Sequence, residues 1–406
     1  MKSSPPPQPA SIEPDPSPQA LGYPVIFAYG FRPFFLVTGI YAAVAIPFWI
    51  GLLHGLELPQ TALPAYVWHA HEMLYGFIAA AVAGFLLTAV PSWTGRRGYA
   101  GAPLVGLLLL WVAGRVATTV TLGLPALWIA IIDLAFVPAL GLTILPAMLR
   151  SGNRRNLVFI GLLALLFASN LHFHLSGAAV TGPLLLGMNT MLCMLAMLGG
   201  RIVPAFTSAG LKEGGLDIRI RRYQLLDKMV LPVVGGVLVV DLLLPESLFA
   251  AAIAAIAAVL MSTQLGRWQG HRALRNPLVW VLHAGYAWLP VSLAIKALGL
   301  TVVTMPGTSW LHALTVGAFS TMIMGVMSRA ALGHTGRALV APRGMIAAYL
   351  LVTGAALLRV FGPMLLPSAL LTWSVLGALL WCLAFLIFLV VYAPILCRAR
   401  VDGRPG

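Results

Sequence analysis

Two short histidine pairs carry most of the chemistry this chain advertises. They are Trp68-His69-Ala70-His71-Glu72 and Asn170-Leu171-His172-Phe173-His174. Imidazole is a common ligand for transition metals and for haem iron. On a helix, residues i and i+2 lie about 200° apart, so the two members of each pair face different directions. Each pair therefore suits two adjacent metal sites, or one ligand and one supporting hydrogen-bond donor. His312 is a fifth candidate. Glu72 lies three residues after His69 and can share its helical face, where it would orient an imidazole or carry protons. Tyr75, one turn beyond His71, is a proton or electron donor or a packing residue. Arg115 and Asp133 form an ion pair, or Arg115 clamps an anionic group such as a haem propionate. Met188 offers a soft thioether beside Asn189, although core packing is the commoner use of methionine. His283 stands alone. On residue types, a metal or haem site, a proton or ion pathway, and structural polar contacts all stay open.

The elements that hold these residues must be membrane helices. The 406 residues are 60% hydrophobic and 9% charged, with a mean hydropathy of +0.94. A soluble domain is about 25% charged, so a soluble globular protein is excluded. Long continuous apolar runs exclude a membrane β-barrel, whose strands alternate. Apolar runs between polar breaks give about twelve transmembrane helices in an all-α polytopic fold: 33–53, 65–90, 102–122, 125–149, 156–177, 182–207, 226–244, 247–266, 277–298, 309–331, 344–363 and 368–396. Residues 1–24 read as a Pro-rich disordered tail without signal-peptide character. The membrane domain runs over 25–397, and 398–406 is a short basic tail.

Charge tests this partition. All of the 25 Lys and Arg residues except Arg115, Arg201, Lys296 and Arg359 fall in segments on one side of the bundle. By the positive-inside rule that side is cytoplasmic and holds both termini. The net charge of +14 is then a topology signal and a contact for anionic lipid, and no nucleic-acid partner is expected. The same topology places His69, His71, His172, His174 and His312 in one slab near the outer face. Ionisable groups at such depth mark functional sites. Cys193, Cys382 and Cys397 are scattered and offer neither a disulfide framework nor a CxxC site.

Spans 2, 6 and 10 echo one another. Val90-Pro91-Ser92 resembles Val203-Pro204-Ala205, and Trp68-His69-Ala70 resembles Trp310-Leu311-His312-Ala313. Thr94-Gly95-Arg96 recurs as Thr335-Gly336-Arg337. A threefold arrangement of four-helix units and chance similarity both fit. No Walker loop or dinucleotide fingerprint is present.

The motifs Trp68-His69-Ala70-His71-Glu72-Met73-Leu74-Tyr75-Gly76, Gly84-Phe85-Leu86-Leu87-Thr88-Ala89-Val90-Pro91 and Trp93-Thr94-Gly95 resemble the NnrS family. So do Gly30-Phe31-Arg32-Pro33-Phe34-Phe35, Trp111-Val112-Ala113-Gly114-Arg115, Gly199-Gly200-Arg201-Ile202-Val203-Pro204 and His312-Ala313-Leu314-Thr315. The resemblance runs from about residue 25 to the last span. It implies a twelve-span protein of the bacterial inner membrane containing haem and copper, acting in denitrification and in protection against nitric oxide and nitrosative stress. It supplies no ligand map. The depth argument makes His69, His71, His172, His174 and His312 the expected metal ligands, with a haem among spans 2, 5 and 10, copper nearby, and Arg115 on a propionate or on Asp133. Glu72 and Tyr75 are the expected catalytic groups. The expected function is binding or reductive consumption of nitric oxide, fed by a respiratory electron donor. The alternatives are a transporter of copper, haem or another metal complex, and an accessory or assembly factor for a respiratory complex.

Overall fold

A chain crossing about 30 Å of hydrocarbon must satisfy its backbone polar groups internally, so its apolar runs become helices. The computed structural model describes residues 22–56, 63–120, 122–152, 154–216, 218, 220, 224–301 and 306–404. The expected N-terminal tail lies almost wholly outside these residues. The described residues form helices and no strand. Eleven helices are long and apolar enough to span a membrane. In chain order they are α1 (Phe31–Leu53), α2 (Ala65–Thr94), α3 (Ala102–Thr119), α4 (Ala126–Arg150), α5 (Val158–Leu175), α6 (Thr181–Glu213), α8 (Leu248–Arg267), α9 (Pro277–Gly299), α10 (Ser309–His334), α11 (Arg343–Leu365) and α12 (Pro367–Cys397). Between α6 and α8 lies α7, Gln224–Leu243, of similar length but carrying Asp227, Lys228 and Asp241. Every expected span thus has a helix at its position. The largest departure is α6, which continues past the expected end at Thr207 to Glu213, because Pro204 is accommodated inside the helix.

In α2 and α6, 78% of the most apolar stretch is buried, and in α9 and α10 67%, against 33–39% in the other seven spanning helices. The outer helices turn side chains such as Leu109, Leu142 and Val390 outward, which a lipid solvent accepts. Helices α2, α6 and α10 meet on one axis. Ile78 and Phe85, Met191 and Leu198, and Met322 and Val326 line a single apolar cavity of about 60 Å³ there. The three helices whose sequences echo one another are therefore among the most deeply buried, together with α9.

Helices α2 and α10 share a further feature. Each switches from α to π geometry directly after a histidine, over Glu72–Ile78 after His71 and Ala313–Ser320 after His312. Such segments re-aim side chains and free a carbonyl, and they favour functional sites. The Gly76 carbonyl in the first of them accepts from Trp111 Nε1 at 3.1 Å.

One end of the bundle is tied together by its basic residues. Arg32 donates to the carbonyls of Leu396 and Arg398 at 2.7 and 2.8 Å. Arg400 donates to the His334 carbonyl at 2.6 Å, and Val401 N–H donates to Thr335 O at 3.2 Å. The start of α1 and the end of α12 thus lie at the same basic end. The five slab histidines lie toward the opposite, far end, in the second turn of α2, the last turn of α5 and the first turn of α10.

Close packing at the centre relies on glycine. A Cβ on Gly187 would sit 2.6 Å from Leu74 Cδ2 and 2.7 Å from Ser169 Oγ, whereas one on Gly161 would meet nothing within 4 Å. Gly187→Val should cost about 1–3 kcal/mol by overpacking and lower the thermal midpoint in detergent. Gly161→Ala should change stability by about 1 kcal/mol or less. Equal midpoints for the two variants would contradict the close contact of α2, α5 and α6.

Candidate metal centres on two faces of one helix

The first site is a buried polar cluster among α1 to α5. The adjacent residues His71 and Glu72 come from α2, Arg115 and Thr118 from α3, Asp133 from α4, and Asn170 and His174 from α5. Asp133 is its hub. One carboxylate oxygen accepts from His174 Nε2 at 2.9 Å and Asn170 Nδ2 at 2.8 Å, with His71 Nε2 at 3.2 Å. The other pairs with Arg115 Nη2. His71 Nε2 also lies 3.1 Å from Asn170 Oδ1, and its Nδ1 lies 3.0 Å from Glu72 Oε1. Glu72 accepts from Thr118 Oγ1 at 2.8 Å and from the Tyr41 hydroxyl, and Arg115 Nε lies 3.5 Å from it. His71 and Glu72 are fully buried.

Charge balance constrains what this cluster does. Two carboxylates and one guanidinium leave one negative charge. In a low-dielectric interior that charge must be neutralised, by an imidazolium or by a bound cation. One ligand atom each from His71, Asp133 and His174 lie within 4.8 Å of one another. Two imidazoles and a carboxylate form a donor set that suits copper, iron or zinc. Binding an ion there would displace the Asn170 contact to His71.

The second site lies on the other face of α2. His69 and His312 line a cavity of about 400 Å³, together with Trp49, Met188 and Arg359. The remaining walls are mainly apolar. The Trp49 ring stacks on His69 with centroids 4.0 Å apart, and the buried Nδ1 of His69 has no hydrogen-bond partner. His312 Nδ1–H donates to the Thr308 carbonyl at 2.7 Å, which leaves Nε2 free as an acceptor. Metal-binding histidines are held by their second nitrogen in this way.

The structure thus divides the expected ligands. His71 and His174 share one site, and His69 and His312 share the other. It does not bring α2, α5 and α10 to one centre, because the α2 pair diverges by the helical angle and α5 and α10 pack on different sides. His172 joins neither site and is exposed. Arg115 engages Asp133 and Glu72, so it is not available to an anion in the histidine cavity; the basic residue lining that cavity is Arg359 of α11. Tyr75 packs its ring 4.7 Å from His71 and shares a hydrogen bond of 2.6 Å with Ser169. His283 is remote, 2.8 Å from Thr207 Oγ1. Tyr41, Thr118, Asn170 and Arg359 are not among the expected site residues. For Arg359 a signal existed, since it is one of only four basic residues outside the basic segments.

Comparison with known protein families matches the NnrS protein over residues 25–400. The chain belongs to the NnrS family. No curated protein matches it. In this NnrS family member the single stretch Trp68–Gly76 supplies both sites, with His69 on one face and His71, Glu72 and Tyr75 on the other. Met73 and Leu74 of the same stretch line the histidine cavity.

Asp133→Ala would leave Arg115 buried without its main partner. The expected cost is about 3–5 kcal/mol, read as a lower thermal midpoint, and a paired Arg115→Met/Asp133→Leu variant should recover much of it. A single variant as stable as wild type would show that Asp133 is not the hub of the cluster.

Proposed function

We propose that this protein is a haem–copper protein of the bacterial inner membrane that binds nitric oxide and consumes it reductively. The observation that carries the reading is the pairing of each α2 histidine with a second histidine from another helix, on opposite faces. The histidine cavity fits a haem. Its volume lies within the roughly 300–1,000 Å³ of cofactor pockets, its walls are apolar, and Arg359 would meet a propionate. His69 and His312 would hold the iron. His71, His174 and Asp133 would hold copper.

Bound there, the copper, with three side-chain ligands, would supply the open coordination position, and the haem the electron transfer, that nitric oxide chemistry needs. Joining two nitric oxide molecules into nitrous oxide and water takes up two electrons and two protons. A respiratory donor in the membrane supplies the electrons. The chain supplies positions for the protons. Glu72 is buried, accepts from Tyr41 and Thr118, and touches His71, so its carboxylate can hold a proton beside the metal cluster. Tyr75 packs on the same imidazole. The basic end faces the cytoplasm, so both sites lie toward the outer face, where an apolar gas dissolved in lipid reaches them.

A second reading, transport, has one observation in its favour. The histidine cavity, the small axial cavity and a cavity of about 310 Å³ holding Arg329 and His334 follow one another along the axis, sharing Ile78 and then Phe35, Phe85, Ile202 and Val326 as walls. Metal uptake by sealed vesicles would favour it.

Absorption spectra of the purified protein, oxidised, reduced and with nitric oxide, together with iron and copper analysis, test the main reading. His69→Ala and His312→Ala should lose the Soret band. His71→Ala and His174→Ala should keep it and lose copper, and His172→Ala should keep both. A colourless, metal-free wild type made with ample haem would defeat the proposal. Glu72→Gln should leave the spectra unchanged and lower nitric oxide consumption roughly a hundredfold, and a Gln variant with full turnover would remove Glu72 from the proton path.

A further inference from the structure

A second buried ion pair lies apart from both histidine sites. Lys296 of α9 pairs with Asp241 of α7, and Asn189 Nδ2 of α6 donates to the same carboxylate oxygen at 2.8 Å. Asn189 is 1% exposed, Lys296 5% and Asp241 7%. Lys296 Nζ lies 4.3 Å from the centroid of the Trp310 ring. Asn189 Oδ1 is buried and has no hydrogen-bond partner. The burial of charge within membrane helices is costly, and where it persists it points to a functional site such as an ion or proton pathway.

Position gives this pair a use. Asn189, Asp241 and Lys296 line a cavity of about 600 Å³ whose walls include Pro245, Glu246 and Gly307 from the loops at the far end. Glu246 is exposed there. The opposite wall is shared. Thr181, Leu185, Thr308 and Leu311 line this cavity and the histidine cavity alike. Thr308 also holds His312 through its carbonyl. The cavity therefore runs from the far-end loops, past Asp241, to the threonine wall behind His312.

We propose that Asp241, Lys296 and Asn189 form a proton relay from the far-end aqueous phase to the histidine cavity. The inference rests on the reductive reading above. In the relay step, an O–H bond forms on the Asp241 carboxylate as it takes a proton from hydronium, leaving water, and the pairing to Lys296 is released. That bond breaks as the proton passes to a water on the Thr308 side of the cavity, and the ion pair re-forms. The relay ends unchanged, and two protons delivered in two such passages join two nitric oxide molecules and two electrons, one from each of two equivalents of a one-electron donor, to give nitrous oxide and water. Asn189 Oδ1, left without a donor, is placed to accept from a water or hydronium entering the cavity. These residues act through others and touch no reacting atom.

The test uses the full-length, metal-loaded protein, with ascorbate and a small redox mediator as electron source and nitric oxide consumption as readout. Asp241→Asn alone strands a buried ammonium and endangers the fold, so the informative variant combines it with Lys296→Met. The expected result is a loss of turnover of roughly tenfold or more, with Soret band, copper content and nitric-oxide-bound spectrum as in wild type. Asp241→Glu should retain most of the turnover. A double variant that turns over like wild type overturns the relay, and so does one that loses haem or copper, since the pair would then be a brace for the site. A wild type that binds nitric oxide without consuming it defeats the reductive reading and the relay together. Wild-type turnover with undiminished variant turnover defeats the relay alone.

Discussion

Asp133 is the point on which the first half of the bundle depends. Its two oxygens meet His71 from α2, Arg115 from α3, and Asn170 and His174 from α5. Inside a bilayer no water is available to substitute for any of these partners. The carboxylate therefore fixes the rotation of three neighbouring helices at once. Rotation of α2 is the consequential one. With His71 pinned to this cluster, His69 must face the opposite direction, where α10 and α11 supply His312 and Arg359. One buried charge thus sets the geometry of both candidate centres.

The π segments extend the same logic along the helices. A π turn admits an additional residue and shifts the angular phase of every later position on the helix. In α2 it begins at Glu72, so the histidines stand on regular helix while Tyr75 and Gly76 are re-aimed toward α5 and α3. In α10 the corresponding segment follows His312. The recurrence at matching places in two helices that share sequence echoes, and that meet α6 on the central axis, gives the weak repeat a physical counterpart. The repeat is incomplete, since α6 has no histidine and α9 is buried as deeply as α10.

Hydropathy and basic-residue distribution were enough to place every helix, because both follow from the bilayer itself. Even α7, which three charges make a poor membrane span by composition, stands where the charge alternation requires it. The angular divergence of His69 and His71 was legible as well, since it needs only the helical repeat. The choice of partners was not. Spacing along one chain says nothing of which face α5 turns inward, so His172 and His174 looked equivalent, and the exposed one could not be told from its neighbour. Arg115 and Arg359 were similarly ambiguous until α4 was seen to bring Asp133 to the first and not to the second. Asn170 stands inside the second histidine motif, but an amide at that place reads equally well as a helix-packing residue, and only the approach of Asp133 and His71 gives it a partner.

The small axial cavity between α2, α6 and α10 bears on energy coupling. Methionine, leucine, isoleucine and phenylalanine side chains form a collar there, and both histidine sites, with the cavity behind Lys296, lie on its far-end side. A dry collar is an electrical insulator. A transmembrane voltage would fall mostly across it, and the groups beyond it would share the potential of the far-end aqueous phase. Protons drawn from that phase would do no electrical work, and chemistry at the two centres would neither build nor spend the proton-motive force unless its electrons came across the collar.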